Sequence, residues 1–101
     1  MNSGSLLKQA YGNEENNVLM HVQNVERYSK EDSWQEARKE LRKAKSAWDT
    51  ISKRVQFSVE RDEMIDISLS LSKLEGAIIT EDSDLIFQEL YTFYFSWESL
   101  G

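Results

Sequence analysis

The chain has 101 residues, 40% hydrophobic and 30% charged. That is enough for one soluble core and too apolar for a disordered segment. Eighteen acidic against twelve basic residues leave a net charge of −6, which disfavours general nucleic-acid binding. The absence of cysteine excludes disulfides, thiolate metal sites and cysteine nucleophiles, and a single histidine excludes a multi-histidine metal centre. Glycine occurs only at positions 4, 12, 76 and 101, so no glycine-rich phosphate loop is present.

No stretch approaches the roughly 18 apolar residues of a membrane span. The start, Met1-Asn2-Ser3-Gly4-Ser5, lacks the basic and apolar regions of a secretory signal. The expected organisation is a flexible or partly ordered N-terminal segment over residues 1–13, then a single helical-bundle domain over 14–101.

The first predicted helix covers about residues 14–29. Val18, Val22 and Val25 form a narrow apolar stripe that Tyr11, Leu19 and Tyr28 extend, and Asn13, Glu14 and Glu15 suit its start. A short polar link, Ser29 to Asp32, implies an antiparallel neighbour. The second helix, about 33–57, carries Trp34, Ala37, Leu41, Ala44, Trp48, Ile51 and Val55 at alternating steps of three and four. These fall within roughly a 100° arc. Asp32 or Ser33 is its N-cap, with Glu36 placed for a capping box after Ser33.

The third helix, about 61–79, has the stripe Met64, Ile67, Leu71, Leu74 and Ile78. A rival pattern runs through it. Ile65, Ile67, Leu69 and Leu71 alternate with polar residues, as do Val55, Phe57 and Val59, which is strand periodicity. The Arg61-Asp62-Glu63 junction lacks the residues of a tight hairpin turn, and the stripe continues to Ile78, which favours helix. After the link Thr80 to Ser83, with Asp82 or Ser83 as N-cap, the fourth helix covers about 83–99 on Ile86, Leu90, Phe93, Trp97 and Leu100.

The two halves match. Val18, Val22, Val25, Ala37, Leu41, Ala44, Trp48 and Ile51 correspond, 49 residues on, to Ile67, Leu71, Leu74, Ile86, Leu90, Phe93, Trp97 and Leu100. Any two in-phase heptad patterns would do the same, since 49 is seven heptads. The paired tryptophans, and the links Glu31-Asp32-Ser33 and Glu81-Asp82-Ser83 at an offset of 50, are the evidence beyond phase.

Few residues suggest chemistry. His21 reads as a surface or boundary histidine, with Glu14 and Asn17 too poor a set for a metal. Two acidic clusters, Glu60/Asp62/Glu63/Asp66 and Glu81/Asp82/Asp84, lack the calcium-loop pattern and fit helix starts. Arg38, Lys39, Arg42, Lys43, Lys45, Lys53 and Arg54 are seven of the twelve basic residues, and with two acids among them that stretch carries +5. Arg38, Lys39, Arg42 and Lys43 form a basic face, read either as a solvated surface pairing with acidic neighbours or as a site for an anionic partner.

The last helix is the most unusual. Its apolar arc spans roughly 220°, where one core face needs about 100°. Phe87, Tyr91 and Phe95, with Tyr94 beside them, make a second stripe. Three readings stand: a helix buried on two sides, partly under an N-terminal segment with Leu6, Leu7 and Tyr11; an exposed interaction patch at Phe87, Tyr91, Tyr94 and Phe95; or an aromatic small-molecule pocket.

Four features in this order carry a family resemblance: Asp32-Ser33-Trp34-Gln35-Glu36-Ala37 before a Lys-rich helix ending in Trp48-Asp49; the junction from Arg54 through Phe57 to Met64; Ser68-Leu69-Ser70-Leu71-Ser72-Lys73-Leu74 with Ala77-Ile78; and a Glu89-Leu90 helix ending near Trp97 and Leu100. Over about residues 18–100 the chain resembles a family of small helical domains of unknown function from Gram-positive bacteria, tethered outside the membrane by an N-terminal anchor or lipid. The resemblance implies an all-helical fold, also at 55–71, and an extracytoplasmic location. It brings no active site.

The expectation is an all-α antiparallel four-helix bundle built of two αα-hairpins, without cofactor, metal or enzymatic activity. It would act as an interaction module for a protein partner or for self-association, with contact to a membrane only through an N-terminal anchor. The alternative is a cytosolic adaptor that meets an anionic partner through the basic face.

Overall fold

The computed structural model describes residues 12–55 and 61–99. Four α-helices account for them: α1 Gly12–Lys30, α2 Trp34–Val55, α3 Arg61–Thr80 and α4 Ser83–Ser99. They pack as a bundle of two hairpins, α1–α2 and α3–α4, with α2 beside α3 and α1 beside α4. Leu6, Leu7, Tyr11, Phe57, Val59 and Leu100 lie outside the described residues.

The periodic stripes become the core. Val18, Val22, Val25, Ala37, Leu41, Ala44, Trp48, Ile51, Ile67, Leu71, Leu74, Ile78, Ile86, Leu90, Phe93 and Trp97 are all buried. Each large aliphatic or aromatic side chain among them contributes roughly 1.5–3 kcal/mol relative to exposure. Trp34 and Met64, expected in the same stripes, are only half-buried against the edge of the core. Residues 61–71 are helical, which removes the strand reading there. The alternation that suggested it arises because α3 buries Ile67 and Leu71 and leaves Ile65 and Leu69 about half exposed on its outer face.

Both hairpins turn by the same device. At the end of α1, the Ser33 N–H bonds the Tyr28 carbonyl and the Asp32 N–H bonds the Ser29 carbonyl. At the end of α3, the Asp82 N–H bonds the Ala77 carbonyl and the Glu81 N–H bonds the Ile78 carbonyl. These are Schellman motifs, and their left-handed residues are Asp32 (φ 58°) and Glu81 (φ 55°) rather than glycine. Ser33 and Asp82 then open the next helix, accepting at their carbonyls from Ala37 and Ile86. The Asp82 carboxylate also caps the Leu85 N–H at 3.2 Å. The turns therefore correspond at an offset of 49, not the 50 that the matching acidic triplets suggest.

The same offset relates contacts between the hairpins. Lys45 of α2 pairs with Glu75 of α3 at 2.6 Å. The positions 49 residues away, Tyr94 of α4 and Glu26 of α1, are joined by a hydrogen bond of 2.8 Å. Trp48 and Trp97, each other's counterparts, meet edge-to-face with ring centroids 6.2 Å apart. A contact between i and j repeated between i+49 and j−49, with equivalent residues meeting each other, is the pattern of an approximate two-fold axis along the bundle. The repeat is imperfect inside as well. Ala44 stands opposite Phe93 in the correspondence, and Ser29, buried with its hydroxyl unpartnered, takes the place of Ile78.

Candidate functional site

The wide apolar arc of α4 is divided by its neighbours. Phe87 and Tyr94 are half-buried and pack against the core. The Tyr94 hydroxyl donates to Glu26 Oε1, and burial together with that bond pushes its pKa well above the ordinary 10.0. Tyr91 and Phe95 point outward, 77% and 69% exposed. Of the four predicted patch residues, two are half-buried against the core, Tyr94 with a bond to α1, and two form an exposed aromatic pair one helical turn apart. The reading of α4 as buried on two sides is met only by Phe87 and Tyr94. A shallow depression lined by Asp84, Phe87, Gln88, Tyr91 and Thr92 runs beside the pair.

The predicted basic face lies on α2. Arg38 donates to Glu81 of the second turn at 2.8 Å, and Lys45 reaches Glu75. Lys39 pairs with Glu36 at 4.0 Å and Lys43 with Glu40 at 3.5 Å, both within α2. Arg42 is exposed and has no ion pair among the described residues. Most of the face is thus satisfied by neighbouring carboxylates. Pairs this exposed contribute about 0–1 kcal/mol each.

His21 has a partner that helical spacing does not show. Its Nδ1 lies 2.6 Å from Glu40 Oε1 on α2, and Asn24 Nδ2 donates to the same oxygen at 3.1 Å. Both side chains are about six-sevenths buried at the α1–α2 seam, at 15% and 13% exposure. Burial acts to raise the Glu40 carboxyl, but the bonds from His21 and Asn24, with the nearby charges, hold it below the ordinary 4.5. The geometry locks two helices together. Trp48 is anchored likewise, its Nε1–H donating to Ser68 Oγ at 3.0 Å across the α2–α3 seam. No group of three or more His, Asp or Glu among the described residues is arranged to hold a metal. No helix of the described residues is long and apolar enough to cross a membrane.

Fold and surface together define a small antiparallel four-helix bundle that presents an aromatic pair on one outer helix and a basic strip on another. The chain belongs to the family described as Domain of unknown function (DUF4363), which matches residues 7–100, somewhat more than the stretch over which the motifs carry the likeness. No curated protein and no solved structure matches it.

Proposed function

We propose that the domain is a non-enzymatic helical interaction module whose docking face is the outer surface of α4. The observation that carries this is the exposure of Tyr91 and Phe95 one turn apart on one face. Large rings held rigid on a helix are favoured anchors for protein contacts, because they bring contact area at low conformational cost. The motif likeness to anchored Gram-positive domains supports placing the module outside the cytoplasm, as the soluble part of a membrane-anchored or lipoprotein-type protein. A second reading keeps the domain in the cytosol and uses Arg42, which has no ion pair among the described residues, beside Lys39 and Lys43, to meet an anionic partner. That binding would weaken steeply with salt.

The test is site-specific photo-cross-linking of the native gene product in its own cells, followed by membrane fractionation. A photoreactive residue at Tyr91 is expected to give a protein adduct in the membrane fraction, whereas one at the exposed Lys73 of α3 does not. Equal yields at both positions would remove the α4 face from consideration, and adducts only in the soluble fraction would remove the extracytoplasmic placement.

A further inference from the structure

We propose that the outer face of α4 docks on the outer face of α2 in a second copy of this chain. The inference rests on the interaction reading above and names its partner. The internal repeat places Tyr91 at the position of Arg42, Gln88 at that of Lys39 and Phe95 at that of Ser46. The approximate two-fold axis puts these equivalent faces on opposite sides of the bundle. One copy can therefore offer its α4 face to a neighbour while its α2 face stays free for another.

The two faces are complementary in charge and in chemistry. No lysine or arginine occurs after Lys73, and the exposed rings of α4 are flanked by the exposed Asp84 and Glu98. The α2 face carries Lys39, Arg42 and Lys43 and no exposed aromatic ring, and its Asp49, at the position of Glu98, is paired with Lys53. A guanidinium laid on a Tyr or Phe face is attracted by the ring quadrupole, and the flanking carboxylates add to it. Arg42, without an ion pair among the described residues, is the group best placed to do so. Pairing α4 with α4 would bring Asp84 and Glu98 against their own copies, and pairing α2 with α2 would bring Arg42 against its own copy, with Lys39 and Lys43, each paired within its helix, beside it. Charge thus selects the unlike faces, and the contact is heterologous, extending head-to-tail or closing into a ring.

Sedimentation equilibrium of the purified chain tests this. The apparent mass is expected to rise with protein concentration and to fall as salt is added. Y91S/F95S and K39E/R42E should each weaken association by at least about tenfold while keeping the helical spectrum, since all four positions are exposed. Mixed together, the two variants should form a 1:1 pair that grows no further, because only one intact α4 face and one intact α2 face remain. If K39E/R42E loses its cooperative melt, K39Q/R42Q takes its place. A wild-type chain that stays monomeric to millimolar concentration overturns the proposal, as does a mixture that stays monomeric. A K39E/R42E variant that associates like wild type also overturns it, by removing the α2 face from the contact. A monomeric chain whose Tyr91 cross-links a different protein in cells would refute the self-pairing and leave the interaction module standing.

Discussion

On the outer turns of α2 stand Lys39, Arg42, Lys43 and Ser46; at the equivalent positions of α4 stand Gln88, Tyr91, Thr92 and Phe95. Between the turns and the core, by contrast, the two hairpins agree closely. Every buried apolar position of the first but Ile51, whose counterpart Leu100 lies outside the described residues, has a buried apolar counterpart in the second. Both turns hold an acidic residue at positive φ. Core packing and turn geometry constrain both copies alike, because the halves share one interior and one way of reversing the chain. Water-facing positions carry no such constraint, and there one copy is basic and the other aromatic. What separates the hairpins is therefore the chemistry of their outer faces, not their packing.

The comparison can be strained hardest in the core. Phe93 is fully buried, stacked on Trp97 with centroids 5.7 Å apart, and its counterpart Ala44 is buried as well. Phe93→Ala should cost about 3–5 kcal/mol by the cavity it opens, and Ala44→Phe about 1–3 kcal/mol by overpacking. If the two-fold relation governs packing, the double swap A44F/F93A returns a ring to the same level, now against Trp48. Urea unfolding should then show favourable coupling of about 1 kcal/mol or more between the two changes. Additive losses would mean that the hairpins share a pattern but not an interchangeable interior.

The seams offer a middle-sized contrast. The α2–α3 seam uses the charged pair Lys45–Glu75, and its counterpart, the α1–α4 seam, uses the phenol of Tyr94 on Glu26. Lys45→Ala should cost about 0–1 kcal/mol and lose most of its effect in high salt, because the pair is a charge–charge contact that burial covers only in part. Tyr94→Phe should cost about 1–2 kcal/mol with little salt dependence, since a half-buried bond to a carboxylate is screened less. The phenol also has a pH signature. Its native pKa is raised, so the folded state holds the proton more tightly than the unfolded one. Stability is full below pH 10.0 and falls as pH rises above it. Thermal melts across that range should show a steeper alkaline decline for the wild type than for Tyr94→Phe.

These contrasts also mark what could be read from residues alone. The core stripes were legible because helical periodicity projects buried positions onto one face whatever the neighbours do. The aromatic arc of α4 was legible as too wide, but not how it would be divided. The packing of the bundle half-buries Phe87 and Tyr94 and leaves Tyr91 and Phe95 bare, and it depends on contacts far apart in the chain, such as Tyr94 with Glu26, 68 residues away. The His21–Glu40 pair was hidden for the same reason, since it needs the register between two helices rather than the spacing along one. The turns misled by their letters. Glu31-Asp32-Ser33 matches Glu81-Asp82-Ser83 at an offset of 50, yet the left-handed residue is Asp32 in one and Glu81 in the other. The polar links marked the reversals, but without glycine at either place nothing in composition marked which residue takes the left-handed conformation.

The turns supply the smallest and sharpest test. A left-handed backbone costs a residue with a side chain about 1–2 kcal/mol, somewhat less for aspartate, and glycine removes that cost. Glycine also gives the unfolded chain more freedom, which takes back part of the gain. Asp32→Gly should therefore raise stability by about 0.5–1 kcal/mol. Glu81→Gly relieves at least as much strain but breaks the Arg38 bridge, an exposed pair whose contribution is about 0–1 kcal/mol. At low salt it should gain less than Asp32→Gly, or nothing. Added salt screens the bridge in the wild type and leaves the strain untouched. The gap between the two variants, followed by urea titration at rising ionic strength, should close. A gap that persists at high salt would show that the two turns, alike in hydrogen bonding, hold different amounts of backbone strain.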